Sequence, residues 1–216
     1  MYSFSKKEFS LFMVLAILYA ILITFISYVN GKVVSVGPFV STIGVFITCL
    51  TLLILNVIQT FFGKELTHKV VNYSLVVRAL MIIFSLFVIM LPTAFPNDTK
   101  AKAVNIVFST SIRLAFAGIM ARLIADNLEV SIFAFLRKLF KEKFLPIRTF
   151  LSDLLSTYIS TVVYITLAFA YTGKPLLRMY FSDFFIKTIY VFIFDTILVS
   201  LVVGLFLKLG FQPKAR

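Results

Sequence analysis

Six apolar runs, each close to 20 residues long, partition this chain of 216 residues and limit what it can fold into. A helix needs roughly 20 apolar residues to cross a hydrocarbon core about 30 Å thick. Runs of that length occur at 9–29, 41–62, 70–91, 104–124, 149–171 and 184–207. Turn-forming or charged residues bound each one: Asn30-Gly31, Gly37-Pro38, Gly63-Lys64, Pro92, Pro96-Asn97, Gly173-Lys174-Pro175 and Gly210. The expectation is an all-α polytopic membrane protein, a single six-helix transmembrane domain over 1–216. Composition agrees: 61% of the residues are hydrophobic and only 14% charged, far from the balance of a water-soluble domain. No stretch between the runs is long enough to fold independently. Lys6 and Lys7 ahead of the first run imitate a secretory leader, but that run is too long and lacks a small-residue cleavage site, so it is read as helix one.

The net charge of +12 raises the question of nucleic acid. Binding a polyanion requires basic side chains gathered on a wet face, and here they sit between apolar runs, so the expectation is anionic lipid and no nucleic acid. Their distribution sets the orientation. One side of the six runs holds Lys6, Lys7, Lys64, Lys69, Arg137, Lys138, Lys141, Lys143, Arg148, Lys208, Lys214 and Arg216, and the other holds Lys32, Lys100, Lys102, Lys174 and Arg178. Twelve against five places both termini in the cytoplasm. The segment 131–143 extends the fourth helix as an apolar and basic interfacial stretch, and 33–39 is too short to cross and reads as an extended or re-entrant piece at the outer face.

Ionisable groups inside the runs carry the functional signal, because a charge near the bilayer centre costs several kcal/mol unless it is paired or wet. Arg113 stands nine residues into the fourth run, about 14 Å along its axis, and is expected to face the bundle interior. Asp183 and Lys187 are four residues apart, the spacing that lets acid and base meet on one helix face. Asp195, further along the same run, is the freer acid and the candidate for proton or substrate coupling. Arg122, Asp126 and Glu129 share a face near the cytoplasmic end of helix four, as does Arg78 near the end of helix three, and read as a snorkelled cluster that also suits gating of the inner mouth.

Helix five presents a stripe: Ser152, Asp153, Ser156, Thr157, Ser160, Thr161 and Tyr164 fall within half of its circumference. Helix two adds Asn56, Gln59 and Thr60 within little more than one turn. Such carboxamides and hydroxyls suit the donor and acceptor edge of a heterocycle, and they equally suit packing between helices in lipid. Of these, Asn56, Gln59, Thr60, Ser152, Ser156, Thr157, Ser160 and Tyr164, with Arg113 and Lys187, form the expected substrate site, provided that Arg113 and the helix-five row converge on one hollow. His68 is the lone histidine and Cys49 the lone cysteine. With no metal-ligand spacing, phosphate loop or His-Glu-x-x-His helix, the chain is read as a carrier without cofactor or metal, not as an enzyme.

The order of these residues resembles the queuosine precursor transporter family, also described as vitamin uptake transporters. In that family a helix-two segment of the type T-D-x-x-x-E-x-[FY]-G-x-x-x-A-[RK]-[RK] precedes a cytoplasmic loop. Here it reads Leu55-Asn56 to Phe61-Phe62-Gly63 and then His68-Lys69, with Asn56 and Thr60 in place of two acids. The family's membrane arginine followed by Q-x-x-D-x-x-x-F corresponds to Arg113, Asp126, Glu129 and Phe133. Its later R-x-x-x-S-T and D-T-x-x-F correspond to Arg148, Ser152-Asp153 and Ser160-Thr161 with Tyr164, and its final acid and lysine to Asp183 and Lys187. The resemblance implies uptake of a small heterocycle such as a 7-deazapurine across a bacterial inner membrane. A substrate-capturing subunit of an energy-coupling-factor vitamin importer is the alternative, with Ala16 and Ala20 as a small-residue motif that docks an energy-coupling partner.

Overall fold

The structure, a computed structural model, describes residues 5–95, 97–140, 144–171, 173, 175–190 and 197–211. Helix α1 runs Lys6–Val29, and a hairpin of β1 (Val33–Val36) and β2 (Phe39–Thr42) follows. Then come α2 (Gly44–Phe62), α3 (Lys64–Met90), α4 (Thr99–Leu139), α5 (Leu145–Phe169), α6 (Leu176–Tyr190) and α7 (Ile197–Lys208). Helix α1 starts at a capping box in which Ser5 and Glu8 each bond the other's backbone N–H, at 3.2 and 2.8 Å. It ends at Asn30, whose Oδ1 accepts from the N–H of Gly44 at 2.9 Å and so fastens the start of α2 to the end of α1. A Cβ on Gly44 would lie 1.9 Å from that oxygen, which is why no larger residue fits there.

The short outer segment is an antiparallel hairpin, Val33 opposite Thr42 and Val36 opposite Phe39, turning at Gly37-Pro38. Two contacts tie it down at the far side of the bundle: Phe39 stacks on Phe185 of α6 at 4.7 Å, and Ser41 donates to Asp183. We refer to this end as the hairpin end and to the opposite one as the terminal end.

Five helices, α1 to α5, are long and apolar enough to cross a membrane. Helix α2 is the axial one, with 72% of its most apolar stretch buried against 22% in α1 and in α3. The outward faces of its neighbours are apolar: Val14, Ile17, Ile21 and Phe25 on α1, and Leu80, Ile83, Phe84 and Phe87 on α3, are all exposed at helical spacing. That reverses the pattern of a soluble bundle, since such a surface is stable only against lipid. One apolar core joins α1, α2, α3 and α7 around Tyr19, Ile58, Phe61 and Val71, and a second joins α4, α5 and α6 around Ala117, Ala121, Ile165 and Ala168.

Two boundaries differ from expectation. Helix α3 begins at Lys64, directly after Gly63, rather than near residue 70. Helix α4 is one continuous rod of 41 residues, about 61 Å, twice the hydrocarbon thickness. Its last turns are not simply interfacial: Phe133 and Arg137 are buried, with Arg148 of α5 lying over the Phe133 ring at 5.3 Å, while Phe135 and Leu139 face out. Of the sixth expected run, α6 covers the start and α7 the end, and the residues between them fall outside the described ones. Asp195 lies there, and Lys141, Lys143, Lys174, Lys214 and Arg216 of the charge count are likewise outside the described residues.

Candidate functional site

Small residues make room for large charged ones. On α4, Ala117, Gly118, Ala121 and Ala125 form a buried stripe at helical spacing, which lets neighbouring helices approach and leaves space for long side chains. Arg78, in the middle of α3 and 1% exposed, uses that space. Its Nε donates to Ser27 Oγ of α1 at 2.7 Å, and a Cβ on Gly118 would come within 2.2 Å of its Nη2. One turn further along α4, Arg122 Nη1 meets Asp126 at 3.3 Å, and its Nη2 donates to Thr51 of α2 at 3.1 Å. Asp126 also accepts from Tyr19 of α1. On α6, Lys187 pairs with Asp183 at 2.7 Å and donates to Thr161 of α5 at 2.9 Å.

These three cations converge on one hollow of about 40 Å³ toward the hairpin end. Asn30 and Ile26 of α1, Thr42 of the hairpin, Thr48 of α2, and Ser160 and Tyr164 of α5 complete its walls. A buried water occupies some 10–15 Å³ by a comparable measure, so the space holds about three waters and no organic ring until side chains move.

A second polar region lies toward the terminal end, where hydrogen bonds run directly from helix to helix, although Asn56 Oδ1, Gln59 Oε1 and Glu129 Oε1 are buried without a partner among the described residues. Asn56 Nδ2 of α2 donates to Asp153 of α5 at 2.9 Å, Gln59 Nε2 to the Val130 carbonyl of α4 at 2.8 Å, and Ser156 of α5 to Glu129 of α4 at 3.2 Å. Thr60 bonds back to the Asn56 carbonyl at 2.8 Å and Ser152 to that of Arg148 at 2.9 Å. Thr157 is buried beside them, 3% exposed. These hydrogen bonds clamp α2, α4 and α5 together.

Comparison with known proteins bears on this arrangement. The model of the family described as putative vitamin uptake transporter matches residues 42–202. The chain belongs to that family. No curated protein and no solved structure matches it. The match runs from the last residue of the hairpin into α7, so Tyr19, Ser27 and Asn30 of α1 complete the polar core of this transporter-family chain from outside the matched region.

The expected site residues divide in two. Ser160, Tyr164, Lys187 and Arg122 meet at the hollow, whereas Asn56, Gln59, Thr60, Ser152, Ser156 and Thr157 belong to the packed region. Asp183 and Lys187 form the ion pair that their spacing implies.

Two expectations are corrected. Arg113 is exposed on the outer side of α4 and does not share a hollow with the helix-five row. The reason is facing: Ser111, Leu114, Ala115 and Gly118 take the buried side of α4 there, and Arg113 stands on the opposite side with the exposed Ser109 and Phe116. Arg122, Asp126 and Glu129 are not snorkelled but buried, at 8, 3 and 0% exposure, because α4 continues well past them. Arg78 is corrected in the same way, and it is the functional candidate that sequence reasoning missed. Its signal was present: Thr67, Val71, Ser74, Arg78 and Ser85 recur at helical spacing and are all buried, once α3 is allowed to start at Lys64.

Proposed function

We propose that this protein imports a small polar heterocycle, a queuosine precursor of the 7-deazapurine class, across a bacterial inner membrane, with both termini in the cytoplasm and the hairpin at the outer end. The observation that carries this reading is the hollow itself: three buried cations with hydroxyl and carboxamide groups around one space, inside a bundle whose outer faces are apolar. Membership of the family supports transport as the class of function. In this reading two groups bound the hollow along the bundle axis. Ser41, Asp183 and Lys187 latch the hairpin and α6 across its outer side. The packed region of Asn56, Asp153, Glu129 and Ser156 closes the inner side. Loosening the latch admits the ring, whose face packs on Tyr164 while its edge meets Ser160, Arg122 and Lys187.

The test is uptake of radiolabelled 7-cyano- and 7-aminomethyl-7-deazaguanine by cells lacking their own importer and expressing this chain. Wild-type protein should accumulate at least one of them, and Tyr164→Ala and Ser160→Val should each lower uptake about tenfold at normal membrane abundance. Wild-type rates in both variants would remove the hollow from the route.

A second reading, a substrate-capturing subunit docked on an energy-coupling module, is favoured by one feature. Ala20 borders an outward-facing apolar groove of about 540 Å³ with Ile17, Ile21, Phe25, Val77 and Met81. Ala16 instead packs against the core. Uptake by this chain in a host without coupling ATPases would decide for the solitary carrier, and co-purification with such subunits for the alternative.

A further inference from the structure

Among the three cations at the hollow, one is unlike the others. Arg122 has Asp126 one turn away on its own helix, and Lys187 has Asp183 at the same spacing. Arg78 has Ser74 and Ile82 at the equivalent positions, and neither can neutralise it. Its recorded hydrogen bond goes to an uncharged partner, Ser27, and its Nη1 is buried without any hydrogen-bond partner among the described residues. The acid whose charge reaches it, Asp126, is already held by Arg122 and Tyr19. Of the three cations lining the hollow, Arg78 is the one with no ion pair among the described residues.

A guanidinium that only stabilised the bundle would be costly in this form, since an uncompensated buried charge opposes folding. Gly118 adds a second observation: its missing side chain leaves the gap in which the guanidinium sits, beside the hollow. A planar fork of N–H groups pairs best with a carboxylate or with two adjacent acceptor atoms on a ring edge. A protonated amine brought to the same place would add a like charge in a medium of low dielectric constant.

We propose that Arg78 is a specificity-determining ligand contact, and that the hollow selects compounds presenting a carboxylate or an acceptor-rich, uncharged edge over the same ring carrying a protonated amine. This deepens the uptake reading and rests on it. The two 7-deazaguanines named above differ in this respect, one carrying a neutral nitrile and the other an ammonium group. In competition uptake, wild type should favour the nitrile compound at least tenfold. Arg78→Gln should bring the ratio close to one, and Arg78→Lys should keep a preference in the original direction. A fold defect would lower both rates together and leave their ratio unchanged, which would overturn the proposal, as would a wild-type ratio near one or inverted. If neither compound is carried, the deazapurine reading fails and the charge preference is judged separately, from thermal stabilisation of the purified full chain by nicotinate and nicotinamide. Greater stabilisation by the acid, lost in Arg78→Gln, would sustain it. Equal stabilisation, or none, would end it.

Discussion

The bundle holds two polar regions that look alike in composition and differ in what they are built around. Both bury carboxylates, hydroxyls and carboxamides contributed by several helices. At the hairpin end the side chains surround a space, because α4 there offers Gly118 and Ala121 and the charged groups reach across rather than interlock. Toward the terminal end Asn56, Gln59, Ser156 and Glu129 bond directly from helix to helix and leave no comparable hollow among the described residues. Buried polarity in a membrane bundle is therefore not by itself a ligand site. What separates the two is whether the side chains leave a space between them, and that depends on the size of their neighbours.

The strongest way to break this comparison is at the latch. Asp183→Ala leaves Lys187 buried without its carboxylate and should cost about 3–5 kcal/mol, read as a lower midpoint of thermal unfolding in detergent. Combining Asp183→Asn with Lys187→Met should recover most of that stability without recovering uptake, since the Lys187 contact to the ring edge is then gone.

Filling the space is the next largest perturbation. Gly118→Ala places a methyl group 2.2 Å from Arg78 Nη2, so the guanidinium must move, at about 1–3 kcal/mol for overpacking. Uptake should fall more than stability does, and a variant that transports normally would show that Arg78 need not hold its position.

In the packed region the expected balance is the opposite. Asn56→Ala removes a donor from the buried Asp153 carboxylate and should destabilise by about 1–3 kcal/mol, with uptake per folded molecule kept within about twofold. A loss of uptake at wild-type stability would instead join the two regions into one transport route. The smallest effect belongs to Arg113→Gln. A residue exposed on the outer face of α4 should change stability by less than about 0.5 kcal/mol and leave uptake unchanged.

Features decided within one helix could be read directly from the chain. Lipid solvation demands an apolar run of fixed length, a local property, and so the crossings α1 to α5 fall where the runs are. Pairing of Asp183 with Lys187 follows from a four-residue spacing that any helix honours. The hydroxyl row of α5 is likewise buried along its length, from Ser152 to Tyr164, with Ser160 half-buried at the hollow.

Depth and facing were decided by contacts between helices, and there the arginines changed places. Counted from the start of its apolar run, Arg113 seemed bound to face inward, yet Ser111, Leu114 and Gly118 take the inner side of α4 and leave it on the outer one. Arg78 and Arg122 seemed close to an end, yet α3 starts sooner and α4 continues further than hydropathy marks, which sinks both into the core. Hydropathy responds to charges by ending a run at them, so it cannot register a helix that carries its charges inward. Only the packing of small and polar faces against one another shows which of them enclose a space.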